Sequence, residues 1–209
     1  MVEALVRFSD EELKHQTLFR RIEPMVGEAL PTATASISTP TRSPAPCSAK
    51  STWAVLALTL DIELFTQAHY RQSIDPDTEL SELFRDVFLY HWKEECQHAL
   101  LDELEFRRHD STLTAEERDR AVDDFIELVA AVDGILQAQA AADAGYFAAN
   151  CGRTVEADEV PAIEAAFLAA YRWQYIHSGA RHPYFGKVLT SLITESQDQR
   201  IQAALATLH

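Results

Sequence analysis

Apolar residues recur along most of this chain at spacings of three and four, the period of one helix face. The pattern predicts helices over residues 2–30, 51–74, 78–108, 114–150 and 159–178, with short helices from Pro183 onward. The start signals agree with it. Thr114 and Glu117 in "TAEE", and Thr194 and Gln197 in "TESQ", have capping-box spacing, in which each end satisfies the other's free N–H. Gly179 is expected to close the fifth helix as a left-handed cap. No strand-like alternation and no internal repeat is found, so the chain reads as all-α. Residues 31–50 break the pattern: they hold four prolines among Ser, Thr and Ala and predict an irregular link.

Three of the apolar seams are interrupted near their middles by carboxylates and imidazoles. In the first helix Phe8, Glu12, His15, Phe19 and Ile22 share one face. In the second, Leu56, Leu60, Glu63, Gln67 and Tyr70 do so. In the third, Phe84, Phe88, His91, Glu95, His98 and Asp102 follow one another at spacings of three and four. Buried carboxylates without partners are strongly disfavoured, and several in one core repel one another unless a cation lies between them. A metal site resolves the conflict. Oxygen and imidazole donors without thiolate suit iron or manganese, with zinc as a further candidate. A Glu-x-x-His pair places both donors on one helix face, within reach of one ion. Simpler roles stand beside this one. "SDEE", residues 9–12, is itself a capping box that would make Glu12 a cap, and His91 alone could be a core histidine bonded to a carbonyl.

Composition narrows the partners. Asp and Glu number 33 against 18 Lys and Arg, a net charge of −15 that disfavours nucleic acid and anionic membrane surfaces. Cys47, Cys96 and Cys151 are widely spaced and fit a reducing compartment. No leader pattern and no uninterrupted apolar span of about 18 residues is read. A cytoplasmic location is expected.

The order Glu-x-x-His, long link, Glu, Glu-x-x-His resembles the ferritin-like diiron-carboxylate superfamily. Glu12 with His15, then Glu63, then Glu95 with His98 match that plan from its second helix onward, and residues 31–50 fall where such bundles have their long crossover. "HWKEECQH" is similar to the His-x-x-x-Glu-x-x-His motif of the p-aminobenzoate N-oxygenase branch, whose resemblance makes His91 a further ligand. What the resemblance implies is a single ferritin-like helical domain over residues 1–209, with additional helices from residue 111. It implies two ions, iron or manganese, at Glu12, His15, Glu63, His91, Glu95 and His98. The family's first helix and its glutamate have no counterpart here, so an incomplete site is expected, with Asp143 as the candidate substitute and Asp102 as a residue orienting a ligand histidine. The function implied is a diiron oxidoreductase that activates O2, with a small-molecule substrate and a separate electron donor. An iron-binding or storage bundle, and a metal-free bundle acting through its surface, remain as alternatives. The segment 171–185 reads as helix packing, a homodimer contact or a pocket wall.

Overall fold

A computed structural model of the chain describes residues 2–28 and 50–208. The predicted link at 31–50 and the end of the first helix at Leu30 lie outside the described residues, Lys50 excepted. Seven helices make up the rest: α1 (Val2–Gly27), α2 (Thr52–His69), α3 (Glu82–Asp110), α4 (Ala115–Asn150), α5 (Val160–Arg172), α6 (Pro183–Thr190) and α7 (Glu195–Leu205). Two π-helical turns extend α2 through Tyr70–Ile74 and α5 through Trp173–His177. The protein is an all-α helical bundle.

Local chemistry sets the helix ends. Ser51 and Ser81 cap α2 and α3 through their side-chain oxygens. Both predicted capping boxes form, at Thr114–Glu117 and Thr194–Gln197. Lys50 ties the entry of α2 to Asp124 and Glu127 of α4. The helix at α1 begins before Ser9, so Glu12 lies in its interior and does not serve as a cap.

α2 is the hub. Trp53, Ala54, Ala57, Leu60 and Leu64 are buried against Phe106 of α3, Val122 and Phe125 of α4, and Phe185 and Val188 of α6. Trp53 also donates its indole N–H to Asp110, which pairs in turn with Arg118. α1 packs mainly on α3. Phe19 meets Phe88 there, with ring centroids 5.5 Å apart. α4 contains an alanine-rich window whose length and composition would let it cross a membrane. Only 28% of that window is buried in the bundle; Phe125, Leu128, Leu136 and Ala140 are among the buried residues of α4.

Gly179 differs from its expected role. It does not adopt a left-handed conformation; among the described residues only Gly152 has a positive φ. The helical path continues through Ser178–Ala180. Glycine is needed at 179 for another reason. A Cβ there would lie 2.5 Å from Asp61 Oδ1 and 2.6 Å from the Asp61 carbonyl oxygen, so the two helices touch backbone to backbone.

Candidate metal centre

The polar breaks in the three seams face one another. α1 supplies Glu12 and His15, α2 supplies Glu63, and α3 supplies His91, Glu95 and His98. Donor atoms of His15, His91 and Glu95 lie within 4.8 Å of one another, and so do those of Glu12, Glu63, Glu95 and His98. Glu95 belongs to both groups. Its Oε1 is 2.5 Å from His91 Nε2 and 3.3 Å from His15 Nδ1. Its Oε2 is 3.1 Å from His98 Nδ1. One carboxylate thus addresses two neighbouring groups of donors, one with each oxygen.

His15, Glu63, Glu95 and His98 are buried, while the Glu12 side chain is 39% exposed and marks the solvent side. Phe8 packs on the His98 ring, with centroids 4.3 Å apart, and Phe19 packs edge-on against His91. These aromatics close the flanks of the cluster.

Two carboxylates outside the predicted set fix the rings. Glu94 Oε2 is 2.6 Å from His15 Nε2, and its other oxygen holds Lys14 Nζ at 2.5 Å. Glu11 Oε2 is 2.9 Å from His98 Nε2. Both histidines are therefore anchored through Nε2 and present Nδ1 to the cluster. This is the carboxylate–histidine arrangement that sets tautomer and ring orientation at metal sites. Asp102 was expected in that role, but Glu11 takes it at His98. Asp102 is buried nearby, with Oδ2 lacking a partner among the described residues.

The electrostatics follow from the crowding. Burial drives the Glu63 carboxyl far above its ordinary range, and the hydrogen bond it donates to the neighbouring Glu95 adds to this. Burial also pushes Glu95 upward, but its bonds to His91 and His98 outweigh that and hold it low. Burial works against the His98 cation, yet bonds to Glu95 and Glu11 raise it to about 9. Asp102 is raised to about 6, chiefly by burial.

The donor set fits divalent cations. His15 Nδ1 and Glu63 Oε2 are buried without hydrogen-bond partners, among the described residues. An ion in each donor group would satisfy one of these atoms, and the ion beside Glu63 would relieve its repulsion with Glu95.

Asp143 does not join the cluster. Its carboxylate accepts from Tyr171 and Gln139, bonding α4 to α5. The carboxylates brought beside the six residues are Glu11, Glu94 and Asp102 instead. Glu94 sits next to Glu95 at the edge of the α3 seam, and Glu11 next to Glu12 on α1. Their adjacency to the two Glu-x-x-His pairs was the only signal for them in the sequence.

Segment 171–185 is largely packing. Arg172 forms a two-pronged pair with Asp133, at 2.6 and 2.9 Å. His177 Nε2 lies 2.7 Å from the Leu208 carbonyl. Tyr184 donates to Glu103, and Ile176, Ala180 and Phe185 line a cavity distant in character from the polar cluster.

Comparison with family models, with curated proteins and with solved structures found no match to this chain.

Proposed function

We propose that the protein holds two divalent metal ions at Glu12, His15, Glu63, His91, Glu95 and His98, and that it is a ferritin-like diiron oxidoreductase acting on O2. The observation that carries the proposal is the position of Glu95. Its Oε1 faces His15 and His91 while its Oε2 faces His98. A carboxylate with one oxygen for each of two donor groups would serve an ion in each group. Oxygen and imidazole donors favour iron or manganese.

When bound, a pair of redox-active ions would supply redox chemistry toward dioxygen. The chain's own residues do the rest. Glu94 and Glu11 hold His15 and His98 by Nε2, which directs Nδ1 of each inward. Phe8 and Phe19 exclude water from two flanks. Glu63 would release the proton it shares with Glu95 on binding a cation. Glu12, the most exposed of the six, sits where solvent and small molecules reach the cluster. A separate electron donor is part of the proposal.

The test is anaerobic titration with ferrous iron, followed by exposure to O2. Two ions per chain, and a loss of stoichiometry in Glu95→Gln, are expected. Fewer than two ions in wild type, or two in Glu95→Gln with undiminished affinity, would overturn the proposal. Mineral growth without an organic substrate would replace the oxidoreductase with an iron store at the same residues.

A further inference from the structure

α2 carries a second buried carboxylate, Asp61, two residues before Glu63. At 100° per residue the two side chains leave the helix on nearly opposite sides. Glu63 faces α1 and α3; Asp61 faces α4 and the C-terminal helices. On that side lies a cavity of about 250 Å³. Its wall includes Phe125, Val129, Ile176, Phe185 and Leu205, with Asp61 among them. A dry apolar cavity of about 150 Å³ is enough to take benzene, so this chamber has room for one ring with a short substituent.

Asp61 is only 5% exposed. Its Oδ1 has no hydrogen-bond partner among the described residues. Gly179 presses against the same carboxyl and offers it no donor side chain. Among the described residues that line the chamber there is no lysine, arginine or histidine, whereas Asp198 adds a second acidic group. A buried acceptor without a donor is strongly disfavoured in an apolar wall, and its natural complement is a donor brought by a ligand.

We propose that this chamber is a second ligand site, which takes a small hydrophobic amine whose nitrogen pairs with Asp61 while its hydrocarbon body fills the apolar space. An amine fits better than the alternatives of the same size. A carboxylic acid would set anion against acidic wall. Burial raises the Asp61 carboxyl well above its ordinary range, so it carries a proton that an amine can accept to leave an ammonium–carboxylate pair, whereas an alcohol exchanges only neutral hydrogen bonds. The site is separate from the six-residue cluster and does not depend on the metal reading.

The experiment is calorimetric titration of the whole chain with cyclohexylmethylamine, and in parallel with cyclohexylmethanol and cyclohexanecarboxylate. Wild type, Asp61→Asn, Val129→Trp and Glu95→Gln are compared, each checked for native helicity by circular dichroism. One amine should bind per chain, about ten-fold or more tighter than either neutral or anionic analogue. Asp61→Asn should lose about ten-fold or more in amine affinity, and Val129→Trp, which fills the chamber without changing charge, should abolish it. Glu95→Gln should leave it unchanged. Absence of saturable amine binding would overturn the proposal. So would equal binding of alcohol and amine, indifference to Asp61→Asn, retention in Val129→Trp, or loss in Glu95→Gln, which would place the amine at the other site.

Discussion

Glu94 Oε2 lies 2.6 Å from His15 Nε2, and that bond turns His15 Nδ1 toward Glu95 Oε1 at 3.3 Å. One hydrogen bond from α3 to α1 thus sets which imidazole nitrogen faces the cluster. Removing it leaves the ring free to rotate and to change tautomer. In Glu94→Ala, affinity for ferrous or manganous ion should fall about 10–100-fold, the usual effect of losing a carboxylate behind a metal-ligating histidine. Helicity should be unchanged, because Glu94 bonds side chains only. Metal titration with circular dichroism checks both; unaltered affinity would remove Glu94 from the site.

Metal binding should strengthen as pH rises. His98 is raised to about 9, and Glu63 is raised by burial, so at pH 7 both bind protons that a cation must displace. Below about pH 9 each proton displaced weakens apparent affinity about ten-fold per pH unit, and above it the dependence on His98 ends. Proton release on metal addition, read with a pH indicator in weak buffer, should be at least one per chain at pH 7. Affinity that is flat between pH 6 and 8 would contradict the geometry of bonds around His98.

Gly179→Ala should destabilise the fold. The added Cβ would meet both the Asp61 side chain and its carbonyl oxygen below 3 Å, so α2 and the end of α5 must part. Overpacking of this kind costs about 1–3 kcal/mol, which lowers the melting temperature by about 2–4 °C for each kcal/mol in a chain of this size. Adding Asp61→Ala should recover little of that loss, because the backbone oxygen remains. Thermal denaturation of the single and double variants decides it.

Thr114→Ala tests the start of α4 alone. The Thr114 hydroxyl accepts from the Glu117 N–H, and the Glu117 carboxylate accepts from the Thr114 N–H. Loss of such a cap costs about 1 kcal/mol. Denaturant titration should show that loss with metal affinity unchanged, since the cap lies outside the cluster.

The sequence by itself determined the helical class, both capping boxes, and the three polar interruptions that the structure brings together. These are properties of a single helix: a period of 3.6 fixes which residues share a face, and a cap depends on residues three apart. Tertiary structure decided everything that joins one helix to another. Glu94 reaches His15 and Glu11 reaches His98 only because α1 docks on α3 with its seam offset toward their edges. Asp143 looked inward from α4, but α5 brings Tyr171 to it first. Gly179 carried the signature of a helix cap, yet what it serves is a contact with a residue more than a hundred positions earlier. Asp61 gave no sign in any pattern, because a carboxylate two residues from a seam reads as solvent-facing until α4 and the C-terminal helices cover it. Helix periodicity is local and legible; which face meets which neighbour depends on the docking of whole helices, which no short spacing encodes.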